Sequence, residues 1–311
     1  MLGMLKHLTP GDLKCILVLL MRGFRKNRVL SVDLTWRCNL SCKTCYFKRL
    51  GSHLELSYNQ WLALIREWKL KNPNSFGGWI GGESLLRKDL LKEAMLLFKR
   101  NLLVTNGTFD WSDLPKNCSI LVSLDGIGKD NDQIRGQDTY EKVVWNIRSS
   151  NRLVSTTTTI NRLNFQKLAE IVGTFRNTKN VKCSYFTFYT PSKGEGFDLC
   201  LTEKEKDGAI SRLLALKQFY GDFIADSRRA LELMRSTHRQ EVIKNCSLRR
   251  ACRCLSPLGE IKFCVLGDTA DCSRCGDWET HHIRAIERYD IESIRIGLRL
   301  FGVDTFPKNI T

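Results

Sequence analysis

No apolar run in this sequence is long enough to cross a bilayer: the longest near the start, Cys15 to Met21, is far shorter than a spanning helix requires, and no small-residue cleavage site follows it. Internal repeats and low-complexity tracts are missing as well, so neither a stacked-repeat architecture nor a disordered chain is expected. Acid is in short supply, with 33 Asp and Glu against 49 Lys and Arg and a net charge of +16. Such a balance attracts phospholipid, nucleic acid or acidic peptide. The basic residues are dispersed, however, and no aromatic–basic pattern accompanies them, which argues against nucleic acid as the partner. What is present is an ordinary 42% of apolar residues over 311 positions, enough for one large α/β unit and a smaller appendage.

Cysteine is the exception to this ordinary composition. There are thirteen, and they cluster: Cys38, Cys42 and Cys45 near the start, then Cys246, Cys252, Cys254, Cys264, Cys272 and Cys275. Cys15, Cys118, Cys183 and Cys200 are scattered and read as small buried hydrophobes. The odd total, the lack of a secretory signal and the CX2C pairs point to metal rather than disulfides. Three thiolates on one tight loop can hold three irons of a [4Fe–4S] cluster and leave the fourth open, or bind zinc with a distant fourth ligand.

Periodicity supplies the frame. Apolar segments at Val29–Thr35, Phe76–Gly81, Leu102–Thr105, Ile120–Leu124, Val154–Ile160 and Cys183–Tyr189 alternate with amphipathic stretches. Six strands with helices between them predict a parallel sheet of βα units joined by right-handed crossovers. Ser57 with Gln60, and Thr202 with Glu205, form capping boxes that open two of the helices. The expected organisation is an amphipathic N-terminal helix over 1–28, a core over 29–200, a helical connector over 201–245 in which Gly208 and Gly221 act as breaks, a cysteine-rich unit over 246–280, and a helical tail over 281–311. The N-terminal helix, basic on one face, has two roles open to it: packing across the end of the core, or resting on an anionic membrane surface.

The motifs sit at the carboxyl ends of strands, where parallel sheets place their sites. They are the CX3CX2C loop of Cys38, Cys42 and Cys45, then Gly81-Gly82-Glu83, Thr105-Asn106-Gly107, Ser123-Leu124-Asp125-Gly126 and Arg135-Gly136. Together and in this order they resemble the radical S-adenosylmethionine (radical SAM) enzymes. The resemblance implies a (β/α)6 partial TIM barrel and a [4Fe–4S] cluster on the three cysteines. It also implies S-adenosylmethionine held by Gly81, Gly82, Glu83, Asn106, Ser123, Asp125 and Arg135: Glu83 at the methionine amine, Arg135 at its carboxylate, and Ser123 with Asp125 at the ribose. Thr158 and Asn161 are weaker candidates. Ser84 stands where many relatives have proline, and Thr44 where many have an aromatic, with Tyr46 and Phe47 following.

Downstream, Cys246, Gly259, Cys264, Cys272 and Cys275 resemble the shortened SPASM, or twitch, domain, which implies one auxiliary [4Fe–4S] cluster. Cys252 or Cys254 could replace Cys246, and a four-cysteine zinc site stays open. Pro257-Leu258-Gly259 reads as a hairpin turn between arms Ala251–Ser256 and Glu260–Cys264.

The resemblance implies reductive cleavage of S-adenosylmethionine to a 5′-deoxyadenosyl radical and hydrogen abstraction from a substrate carbon, in peptide, protein or cofactor maturation. A one-electron reductant such as ferredoxin or flavodoxin is the implied partner, and the cytoplasm or its membrane face the expected location. A lipid-modifying enzyme of the same family and a zinc-bound nucleic-acid-binding protein are the alternatives; zinc alone gives no account of Glu83 or Asp125.

Overall fold

The computed structural model describes residues 28–47, 54–196 and 198–302, so the expected N-terminal helix lies outside the described residues. Six strands run in parallel: β1 (Val29–Asp33), β2 (Phe76–Ile80), β3 (Asn101–Thr105), β4 (Cys118–Ser123), β5 (Val154–Ile160) and β6 (Val181–Phe188). All five residues of β1 are buried. That is the mark of a parallel strand covered on both faces. The crossovers are α1 (Tyr58–Lys71), α2 (Lys88–Leu96), α3 (Lys129–Arg135), α4 (Thr139–Ser149) and α5 (Leu168–Arg176).

α1 begins where the sequence places it, because both bonds of its capping box form: Gln60 N–H donates to Ser57 Oγ at 3.4 Å and Ser57 N–H to Gln60 Oε1 at 2.9 Å. Its Trp61 and Ile65, with Leu90, Leu91 and Ala94 of α2, are fully or almost fully buried in a single core shared with the sheet. Each such side chain contributes roughly 1.5–3 kcal/mol relative to exposure. The radical SAM-like α/β partial barrel expected from the sequence is the architecture found.

The C-terminal region differs from the expected arrangement. The hairpin forms, but with shorter arms, β7 (Cys252–Leu255) and β8 (Ile261–Lys262). It does not stand apart: β7 pairs in parallel with β1, Val29 opposite Cys252 and Val32 opposite Leu255, giving one sheet of order β6-β5-β4-β3-β2-β1-β7-β8. The free edge of β1 carries unpaired backbone groups, and β7 satisfies them. At the other flank, β6 is covered by loops: Ala225 N–H donates to Ser184 O at 2.8 Å and Phe188 N–H to Gly276 O at 2.9 Å.

The connector is also resolved differently. Gly208 lies inside an uninterrupted helix, α6 (Glu203–Tyr220), while Gly221, at φ +56°, ends it. Short helices α7 (Arg228–Leu233), α8 (Arg239–Lys244) and α9 (Ser247–Ala251) follow. The tail is two helices, α10 (Trp278–Glu287) and α11 (Ile291–Leu300), separated near Tyr289, which adopts φ +61°. α10 therefore runs through the expected boundary between 280 and 281.

Candidate active site

The cysteine loop leaves β1 and is held by backbone bonds to neighbouring elements. Lys43 N–H donates to Ile134 O at 2.8 Å, Gly82 N–H to Thr35 O at 3.0 Å and Glu83 N–H to Arg37 O at 2.8 Å. These contacts explain the paired glycines. A Cβ on Gly82 would lie 2.2 Å from Arg37 O, and one on Gly81, whose φ is +106°, 2.8 Å from Asp33 Cα. Both glycines thus admit the cysteine loop and β1 itself, a different close approach from the ligand contact expected of them.

Glu83 is 1% exposed, and three donors converge on its carboxylate. They are Thr105 Oγ1 at 3.0 Å, Asn106 N–H at 2.8 Å and Leu85 N–H at 3.1 Å. Burial, partly opposed by these bonds, raises its pKa. Asn106 then reaches the cysteine loop, donating to Asn39 Oδ1 at 2.8 Å and lying 3.8 Å from Cys38 Sγ. Glu83 therefore braces the turn that braces the loop. Burial pushes the Cys38 and Cys42 thiols up as well, Asn106 lowering the first and Arg135 the second.

Asp125 is fully buried, and both carboxylate oxygens are taken: Arg135 Nη1 at 2.7 Å and Thr159 N–H at 2.7 Å. Of the pair, it is Arg135 that faces the cavity described below, together with Ser123. Arg135 Nε is buried without a hydrogen-bond partner. Burial disfavours its charge, but Asp125 and the Cys42 and Cys45 sulfurs outweigh that and hold it raised. Thr158 and Asn161 serve the backbone, bonding Leu124 O at 2.7 Å and Thr159 O at 2.9 Å.

A cavity of about 460 Å3 opens at the carboxyl ends of the strands. Its lining includes Cys38, Cys42, Cys45, Gly81, Gly82, Asn106, Ser123 and Arg135 from the first four strand ends, and Tyr185, Tyr189, Val265, Leu266, Asp277, Trp278 and Glu279 from β6 and the C-terminal region. Trp36 stacks on Phe47 at 5.0 Å beside the cysteine loop. None of the C-terminal cysteines lines this space. Cys246, Cys264, Cys272 and Cys275 instead share the neighbourhood of Asp277, where burial first and then nearby anionic groups raise Cys264 to about 12 and Cys275 further. Cys252 and Cys254 lie on the hairpin near Glu279.

All the described cysteines are free thiols. A sulfur-only donor set on one loop fits an iron–sulfur cluster, and the orphaned Arg135 Nε fits an anionic group of a ligand. Among the described residues, no three Cys, His, Asp or Glu side chains are gathered closely enough to hold a metal ion as they stand.

Several site residues carry no motif. Asp33, fully buried at the end of β1, pairs with Lys262 of β8, and its pKa is raised to about 6 by burial against the opposing pull of Lys262. Asn39 sits inside the cysteine loop and donates to Thr108 Oγ1 at 2.9 Å. Glu279 is pushed up to about 8 by burial and by Asp277. Only Asn39 had a local signal, its place between two of the cysteines.

A parallel α/β partial barrel with a cysteine loop at its open mouth defines the class. Residues 32–177 match the Radical SAM superfamily. It is 30% identical over 203 residues to Fe-coproporphyrin III synthase of Methanosarcina barkeri (strain Fusaro / DSM 804), spanning 58% of this chain and 50% of that protein. It is 29% identical over 157 residues to the sporulation killing factor maturation protein SkfB of Bacillus subtilis (strain 168), spanning 46% of this chain and 38% of that one. The chain spans about half the length of the first of these relatives. Among solved structures, anSMEcpe with bound AdoMet and Cp18Cys peptide superposes with a TM-score of 0.58 at 15% identity, covering 80% of this chain and 78% of that one.

Proposed function

We propose that this protein is a radical SAM enzyme acting in the maturation of a peptide, protein or cofactor precursor. A [4Fe–4S] cluster on Cys38, Cys42 and Cys45 would supply the electron that cleaves S-adenosylmethionine, giving a 5′-deoxyadenosyl radical able to take hydrogen from a substrate carbon. The observation that carries the reading is the cavity itself, which brings the three cysteines and Arg135, with its unspent Nε, to one aromatic-rich chamber.

The chain's own residues then have defined tasks. Arg135, positioned by Asp125, offers a donor to the methionyl carboxylate. Glu83 spends three donors' worth of its roughly four acceptor sites on the brace described above, leaving room for one ammonium hydrogen bond. Ser123 presents its hydroxyl at the ribose side, while Asp125 works through Arg135 rather than at the diol. Trp36, Tyr46, Phe47 and Trp278 keep water from a reactive intermediate. Cys246, Cys264, Cys272 and Cys275 form the candidate auxiliary cluster site, with Cys252 or Cys254 as substitutes, and a ferredoxin- or flavodoxin-like protein is the proposed reductant.

Anaerobic purification tests this. About eight iron and eight sulfide per chain, as two cubanes require, with dithionite-dependent 5′-deoxyadenosine formation, is the expected result. Two zinc ions, no brown chromophore and salt-sensitive RNA binding would overturn it.

A further inference from the structure

The charge on the cavity wall is at odds with the charge on the rest of the molecule. The chain carries +16 overall, yet among the described residues only three charged side chains line the cavity: Arg135, Asp277 and Glu279. Arg135 is matched by Asp125 at 2.7 Å. Asp277 caps α10, its Oδ2 accepting both Thr280 N–H and Thr280 Oγ1 at 2.8 Å. Glu279 differs: among the described residues no hydrogen bond or ion pair reaches its carboxylate. Leaving a carboxylate unpaired against apolar surface is costly, which is why Glu279 holds its proton; a bound cation would displace that proton and pair with the carboxylate.

Its surroundings suit a cation. Glu279 follows Trp278, whose ring is fixed by stacking on His282 at 4.5 Å and by the edge of Tyr185 at 4.9 Å. Tyr46, Tyr185 and Tyr189 line the same space. A carboxylate among aromatic faces is a common recognition set for ammonium and guanidinium groups.

We propose that Glu279 is the substrate-recognition group of this cavity and takes the ammonium or guanidinium of a basic side chain on a peptide substrate. The inference rests on reading the cavity as the reaction chamber. It favours a peptide over a tetrapyrrole polycarboxylate, because among the described residues the one cation of the lining is already neutralised by Asp125, which leaves further carboxylates without a partner. It also gives the C-terminal part of the lining a task distinct from that of the first strand ends: these hold the cofactor, and the C-terminal residues choose what is presented to it.

The test titrates the reconstituted holoenzyme anaerobically, by calorimetry, with three probe peptides Gly-Gly-X-Gly-Gly in which X is Lys, norleucine or Glu. The Lys probe should bind about tenfold tighter than the norleucine probe, roughly the worth of one charge-assisted contact, with the Glu probe weakest. Glu279→Gln should bring the Lys-to-norleucine ratio to about one, and Glu279→Lys should reverse the order in favour of Glu. Equal binding of the Lys and norleucine probes by the wild type, undetectable binding of all three, or a ratio that survives Glu279→Gln overturns the proposal. Wild-type 5′-deoxyadenosine formation without peptide separates the two layers. If it is present while the ratio is flat, recognition by Glu279 alone is wrong; if it is absent, the reading of the chamber fails and this inference with it.

Discussion

The two cysteine regions use the same side chain in opposite settings. Cys38, Cys42 and Cys45 come from eight consecutive residues, held by backbone bonds to β2 and to the end of α3, and all three face the cavity. Cys246, Cys264, Cys272 and Cys275 come from separate loops and turns brought together only by the packing of α9, the hairpin and α10, and none reaches the cavity. The first arrangement depends on local chain geometry and opens on the cavity. The second depends on the whole C-terminal fold and lies away from the cavity. One kind of side chain is thus placed by local sequence in the first case and by tertiary packing in the second.

The sharpest break of that comparison is chemical. Replacing Cys38, Cys42 and Cys45 with Ala should reduce 5′-deoxyadenosine formation to background while keeping the C-terminal metal; replacing Cys272 and Cys275 should remove about half the iron, as loss of one of two cubanes implies. Iron and sulfide analysis with product quantification reads both, and surviving turnover in the first variant would assign the chemistry to the wrong loop.

Next comes a pH effect confined to the C-terminal side. Asp226 is fully buried and raised to about 8 by burial, even though Phe186 N–H donates to it at 3.0 Å. The folded chain therefore keeps this proton up to about pH 8, whereas the unfolded chain gives it up near 3.8. Between those values the folded state binds more protons, so this group's contribution to stability falls as pH rises, by up to about 6 kcal/mol across the window. His281 and His282, lowered to about 3 and about 4 by burial, act the other way and cost stability as pH drops below 6.5. Urea unfolding of wild type and Asp226→Asn from pH 4 to pH 8 should give a difference curve that tracks Asp226 alone; parallel curves would refute the assignment.

Asp125→Asn should be somewhat milder. Removing the partner of Arg135, whose side chain is 12% exposed, leaves an unpaired cation and should destabilise by about 3–5 kcal/mol, while weakening S-adenosylmethionine binding measured by equilibrium dialysis. Gly82→Ala forces the cysteine loop away from Arg37 O, at a cost of about 1–3 kcal/mol. It should deplete the first cluster selectively, as iron content and spectra would show. Ile261→Ser on the outer strand, where the side chain is 65% exposed, should change the unfolding midpoint by less than about 0.5 kcal/mol equivalent.

The same contrast separates what the sequence reveals from what it hides. β5 falls on Val154–Ile160 as read, the other barrel strands within a residue or two, and both capping boxes form, because periodicity and capping are local. The cysteine loop and its Asn106 neighbour were legible for the same reason. The partner of β7 was not: alternation in Cys252–Leu255 says which residues share a face, never that β1 is the strand beside them. Asp33 with Lys262 depends on that pairing and was equally hidden, as was the packing of Trp278 on Tyr185, which needs α10 laid against β6. Gly81 and Gly82 were found for a sound reason, close approach, although the approaching atoms belong to the protein.

The insertion of β7 beside β1 has a consequence for biosynthesis. A strand near residue 30 waits for one near residue 255 before its edge is closed, so a ribosome must deliver most of the chain before the sheet can be completed. Pairings of such sequence separation form late and slowly, and the nascent barrel is exposed to wrong edge-to-edge partners meanwhile. Closure of the sheet is therefore a late event in synthesis, and growth conditions that slow translation prolong the time for which the edge of β1 stands open.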